Sequence, residues 1–119
     1  MIPITTESRY NAMVKLREGK ISREIFSDKE IYEEELEKVF TRAWLFVGHE
    51  SQVPNPGDFF TSRMGAESVI LARDKKKKVH VFLNSCRHRG MKVCQYDHGN
   101  TQLFTCPYHT WSYTTDGKL

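Results

Sequence analysis

The sequence predicts a mainly β domain preceded by one amphipathic helix, and two features carry that expectation. From residue 44 onward, short apolar runs rich in β-branched and aromatic residues alternate with dense turn chemistry, the pattern of short strands and hairpins. Before that point, Leu36, Val39, Phe40 and Ala43 recur at i, i+3, i+4 and i+7, while Glu33, Glu34, Glu35, Glu37 and Lys38 fall on the other side.

Taken in order, residues 1–26 mix Pro3, Thr5, Thr6 and Gly19 with scattered charge and show no period, so an extended arm is expected there. Ser27-Asp28-Lys29-Glu30 has the Ser-x-x-Glu form of a capping box, which starts the helix and carries it over residues 27–43. Trp44 is expected to anchor that helix to the sheet. Leu45-Phe46-Val47 is a compact apolar run ending at Gly48, and Pro54-Asn55-Pro56-Gly57-Asp58 is turn chemistry. Strands are expected at residues 59–61 and 68–72. A third, at residues 79–83, follows Asp74 and a solvated tip of four lysines, Lys75 to Lys78. A later hairpin joins residues 102–105 to 111–114, with Asp116-Gly117 as the next turn.

Composition narrows the class. The 119 residues are 39% hydrophobic and 28% charged, ordinary soluble usage and enough for one modest core. No apolar run approaches the roughly 20 residues of a membrane span, and the first residues are not an apolar signal core, so no membrane role and a cytoplasmic location are expected. A net charge of +3 is too weak an excess to imply nucleic acid. Three cysteines do not make a disulfide framework, which leaves metal ligation as the better use of them.

Two short pairs carry the chemistry: Cys86-Arg87-His88 and Cys106-Pro107-Tyr108-His109, separated by seventeen residues. Each follows an expected strand, which places four side chains on two loops at neighbouring strand ends. Two thiolates and two imidazoles suit either a tetrahedral zinc or a two-iron, two-sulfide cluster with sulfur on one iron and nitrogen on the other. Common zinc fingers run Cys, Cys, His, His with both histidines on a helix, whereas this chain alternates Cys, His, Cys, His on loops between strands.

With these motifs, and with Ala43-Trp44-Leu45-Phe46-Val47-Gly48-His49, Pro56-Gly57-Asp58-Phe59 and Phe82-Leu83-Asn84 around them, the chain resembles the Rieske iron-sulfur family. Within that family it is similar to the large subunit of bacterial aromatic ring-hydroxylating oxygenases. The resemblance implies a fold of stacked antiparallel β-sheets with two cluster-binding loops at one end, as residues 44–119. It implies that Cys86 and Cys106 bind one iron of a [2Fe-2S] cluster and His88 and His109 the other. Such a cluster is formally neutral when both irons are ferric, against a dianion with four thiolates, and is therefore easier to reduce.

The implied function is one-electron transfer from a ferredoxin or reductase, in an NADH-dependent system, to a mononuclear iron that activates dioxygen for cis-dihydroxylation. That iron takes two histidines and a carboxylate in a second domain. Only His49, His80 and His98 remain outside the two motifs, so this chain is expected to be the amino-terminal part of a longer subunit, with the Rieske fold incomplete at its carboxyl end. The family usually assembles as a homo-oligomer or as an alpha/beta hetero-oligomer. A stand-alone Rieske ferredoxin and a zinc-stabilised interaction module are the alternatives.

High-potential Rieske proteins carry a disulfide whose cysteines correspond to Met91 and Tyr108, so the resemblance implies a low-potential cluster here. Thr110 stands where most oxygenase relatives have glycine. Cys94 falls outside the pattern and is expected to be a small apolar residue rather than a ligand. Arg87, Arg89 and Lys92 give the first ligand loop a cationic rim suited to an acidic electron donor, or to ordinary loop charge. Asp97-His98-Gly99-Asn100 is expected to be a hydrated turn, and Trp111 and Tyr113 to pack beneath the second loop.

Overall fold

A computed structural model of the chain describes residues 7–119 and divides between Ala43 and Trp44 into two compact units. Residues 1–6 of the expected arm lie outside the described residues.

In the first unit the rest of that arm is regular rather than extended. Helix α1 (Glu7–Met13) runs into a small hairpin of β1 (Val14–Lys15) and β2 (Lys20–Ile21), with Val14 opposite Ile21. These pieces are too short for a hydrophobic period to show in sequence. One helical turn follows, α2 (Glu24–Ser27), and then α3 (Lys29–Glu35).

The expected capping box is displaced by one residue. Ser27 ends α2, its hydroxyl donating to the Arg23 carbonyl at 3.3 Å, and Asp28 caps α3 by accepting from the Ile31 N–H at 3.0 Å. A carboxylate caps as well as a hydroxyl and adds negative charge at the positive end of the helix. The single helix expected over 27–43 is also broken: α3 ends at Glu35, and Leu36–Phe40 widen into a π turn. Lys38 donates to Glu34 at 2.8 Å, and with the Tyr10 hydroxyl it holds the Glu34 carboxyl below the usual carboxylate range.

The second unit is built on antiparallel β structure. Strands β3 (Asp58–Met64), β4 (Glu67–Arg73), β5 (Val79–Leu83) and β6 (His98–Asn100) form one sheet in the order β5-β4-β3-β6. A second, two-stranded sheet pairs β7 (Leu103–Thr105) with β8 (Ser112–Thr114). Val69 to Ala72 of β4 are all buried, as suits an apolar run lying between two neighbours with both faces covered. Phe59 of β3 meets Phe104 of β7 edge to face, at 5.2 Å between ring centres, and this contact joins the two sheets.

Two further expectations change. The presumed turn at Asp97–Asn100 is largely strand β6, with Gly99 opposite Phe59. A β-carbon at Gly99 would lie 3.0 Å from the Phe59 ring, so glycine lets the edge strand approach. Trp44 does not anchor anything within its unit, because its side chain is fully exposed. Among the described residues no helix is long and apolar enough to cross a membrane.

The lysine tip is where the sequence places it, between β4 and β5, and a buried carboxylate organises it. Asp74 accepts from the N–H groups of Lys76 at 2.8 Å and Lys78 at 2.9 Å, and its other oxygen meets His80 Nε2 at 2.8 Å. The His80 contact holds the Asp74 carboxyl below its usual range, against the opposing effect of burial. A lowered folded value means that Asp74 stabilises the fold above the unfolded value near pH 4, and that this contribution fades as pH falls through the folded value. Asp74→Asn is therefore expected to lower the melting temperature at pH 7, with the gap to the parent chain narrowing below about pH 4. Melting curves from pH 7 to pH 3 check this; a gap independent of pH contradicts it.

Candidate metal centre

The two Cys/His motifs fold into loops with the same backbone frame. In the first, the Cys86 N–H donates to the Met91 carbonyl at 2.8 Å and the Gly90 N–H returns to the Cys86 carbonyl at 2.8 Å. In the second, the Cys106 N–H donates to the Trp111 carbonyl at 2.8 Å and the Thr110 N–H to the Cys106 carbonyl at 3.0 Å. Each loop turns on a left-handed residue four places after its cysteine, Gly90 at φ 73 and Thr110 at φ 61.

Glycine adopts that conformation freely, whereas a β-branched residue is strained in it. The Thr110 hydroxyl partly offsets the strain by donating to the His109 carbonyl at 2.6 Å. Thr110→Gly is accordingly expected to raise stability by about 1 kcal/mol, read from denaturant unfolding. A destabilised variant contradicts this.

The shared frame sorts the four side chains by depth. Cys86 and Cys106 are buried, at 3% and 2% exposure, and belong to the same core as Phe59, Ile70 and Phe104. His88 and His109 are exposed, with ring centres 4.8 Å apart. The Trp111 ring lies parallel to His88 at 4.8 Å, and Tyr108 leans on His109 at 3.9 Å. Trp111 thus corrects the expectation of core packing: it is exposed and supports a histidine.

Tyr113 does pack against the core, yet its hydroxyl has a second task. It lies 3.3 Å from Cys86 Sγ and accepts from the Arg87 N–H at 3.0 Å. That hydroxyl is the main reason the Cys86 thiol sits below its ordinary pKa; the His88 and Arg89 backbone N–H groups and the Cys106 thiol act in the same direction, against burial. The pocket floor is therefore prepared for anionic sulfur.

Asn84, buried between β5 and the first loop, closes that loop from below. Its Oδ1 accepts from the N–H groups of Val93 at 3.0 Å and Cys94 at 2.9 Å, and its Nδ2 donates to the Cys94 carbonyl at 2.8 Å. Neither this clamp nor the Tyr113 contact was legible in sequence. The available signals were a polar residue directly after a strand and a tyrosine at the inward position of β8, whose hydroxyl needs a partner once buried.

The remaining candidates lie elsewhere. His49 caps the short turn Glu50–Gln52, His80 serves Asp74, and His98 is on β6. Cys94 is buried, donates weakly to the Tyr96 carbonyl at 3.4 Å, and has its thiol pKa pushed up by burial.

Among the described residues no three His, Cys, Asp or Glu side chains converge on one point as a single metal ion requires. The donors are arranged pairwise instead, two sulfurs below and two imidazoles above. That division suits a group with two metal ions, each taking two protein ligands.

The Rieske [2Fe-2S] domain profile matches residues 43–119. The chain belongs to the Rieske [2Fe-2S] domain family. It is 49% identical over 107 residues to the biphenyl 2,3-dioxygenase alpha subunit of Rhodococcus jostii (strain RHA1), covering 90% of this chain and 23% of that one. With a benzene 1,2-dioxygenase alpha subunit of Pseudomonas putida it shares 46% identity over 112 residues, 94% of this chain and 25% of the relative. Among solved structures, naphthalene 1,2-dioxygenase from Rhodococcus sp. superposes with a TM-score of 0.76 at 40% identity, over 82% of this chain and 22% of that one. This Rieske chain thus spans about a quarter of the length of the curated relatives it matches.

Proposed function

We propose that Cys86 and Cys106 hold one iron of a [2Fe-2S] cluster and His88 and His109 the other, and that this unit relays single electrons inside an aromatic ring-hydroxylating dioxygenase alpha subunit. The observation that carries the reading is the sorting by depth: two thiols in the core and two facing imidazoles at the surface, on loops of one backbone pattern. A cluster held there supplies reversible one-electron chemistry.

The chain's own residues define how that chemistry is used. The buried cysteines, with Phe104 and Val93 packed in the same core, keep water from the sulfur side. Tyr113 and the loop N–H groups stabilise negative charge on sulfur, which favours the reduced form. His88 and His109 present the opposite side to whatever docks, so electron exchange takes place through the imidazoles.

Arg87, Arg89 and Lys92 are exposed on and just after the first ligand loop, with no acidic residue between Ser85 and Tyr96, which supports an acidic ferredoxin or reductase as donor. The acceptor is a mononuclear iron in a further domain of the same kind of subunit, within a homo-oligomeric or alpha/beta assembly in the cytoplasm. The similarity to alpha subunits extends over about nine-tenths of the chain, including residues well before the cluster loops, and this favours an oxygenase part over a free-standing carrier.

Iron and acid-labile sulfide analysis of the purified chain, with visible absorption and reduced-state EPR, tests the reading. Equal iron and sulfide, a red-brown colour and a signal appearing on one-electron reduction are expected. A colourless, EPR-silent chain with stoichiometric zinc contradicts it.

A further inference from the structure

Laying the two loops over one another by their shared hydrogen bonds pairs Arg87 with Pro107, His88 with Tyr108, Arg89 with His109 and Gly90 with Thr110. The frame therefore makes two cross-loop contacts of one kind. His88, second after its cysteine, faces His109, third after its own. Reciprocally, Arg89, third in the first loop, reaches Tyr108, second in the other: its guanidinium carbon stands 5.6 Å from the Tyr108 ring centre and its Nη1 3.5 Å from the hydroxyl.

We infer that Arg89 and Tyr108 form a non-covalent clasp between the two ligand loops and are positioning residues that keep His88 and His109 facing each other. This rests on the reading of the four motif side chains as cluster ligands. Tyr108 is well placed to transmit the clasp, because its ring also leans on His109 at 3.9 Å. Among the described residues the other contacts that cross the exposed rim between the loops are made by His88 itself, with His109 and with Trp111; Asn84 closes the first loop onto itself, and Tyr113 ties β8 to Cys86 at the floor.

The two halves of the contact differ in weight. At 3.5 Å the hydrogen bond is at the outer limit of a useful one, whereas a guanidinium within about 6 Å of an aromatic face is attracted by the ring whether or not a hydroxyl is present. The clasp is therefore a cation–π contact, and the ring matters more than the hydroxyl.

Cluster release from the loaded chain, followed as decay of visible absorption under a chelator, tests this through a double-mutant cycle. Arg89→Leu and Tyr108→Ala are each expected to speed release about two- to five-fold, the range of one exposed cation–π contact. The double variant is expected to release no faster than the faster single one, because both remove the same contact. Tyr108→Phe, which keeps the ring, and Arg89→Lys, which keeps the charge, are expected to stay close to the parent rate.

Independent effects that multiply in the double variant overturn the clasp, as does Tyr108→Phe releasing as fast as Tyr108→Ala. Should Tyr108→Ala fail to load a cluster, the comparison of Arg89→Leu with Arg89→Lys and Tyr108→Phe still decides: equal release in all three overturns the clasp. A parent chain that carries no visible absorption defeats the ligand assignment itself, which is a different outcome from a coloured parent with an additive cycle.

Discussion

Cys86→Ala is expected to yield a chain without visible absorption whose melting temperature falls by at least about 10 °C. Two effects combine. The sulfur is one of two on the buried side, so under the proposed ligation its loss would leave one iron with a single protein ligand. The loops are also short and irregular, and a ligand group that ties them together contributes its binding free energy to folding, since the unfolded chain has no preformed site. His109→Ala separates these effects. The imidazole is exposed and its removal opens no cavity, so the colour is expected to vanish just as fully while any loss of stability reflects ligation alone. Absorption spectra and thermal melts of the two variants check this; a stable, red-brown Cys86→Ala chain contradicts it.

Tyr113→Phe is expected to load a cluster and to lower its reduction potential by about 40–60 mV, the equivalent of one ordinary hydrogen bond for a one-electron couple. The sign follows from charge. Reduction adds a negative charge that spreads onto sulfur, and an O–H aimed at Cys86 Sγ at 3.3 Å stabilises the reduced form more than the oxidised one. The phenyl ring of the variant fills the same place against the core, so packing is retained. Spectroelectrochemical titration measures the shift. An unchanged or higher potential contradicts the view that this hydroxyl acts on the cluster rather than only on the Arg87 N–H.

How much of this was legible in the sequence depends on the range of the interaction. The four motif residues carry their own signal, because a Cys-x-His and a Cys-x-x-His have few other uses on strand-flanked loops. Strands β3, β4 and β5 were legible from their apolar runs, and the lysine tip from its charge. Strand β6 was not: His98-Gly99-Asn100 has turn composition and pairs beside Phe59 because Gly99 has no side chain to meet that ring. The helix start slipped from Ser27 to Asp28 because two competent caps stand side by side and only tertiary structure chooses between them. Asn84, Tyr113 and the facing of Arg89 with Tyr108 join residues distant in sequence, and no local pattern encodes such partners. Trp111 was misplaced for a related reason: an aromatic beside a strand reads as core unless the partner ring, here His88, is known.

Mössbauer spectroscopy of the iron-57-loaded, oxidised chain addresses unequal ligation most directly. Two quadrupole doublets of equal area with different isomer shifts are expected, one for iron bound by the thiolates of Cys86 and Cys106 and one for iron bound by the imidazoles of His88 and His109. A single doublet, from two irons in the same environment, would contradict the account.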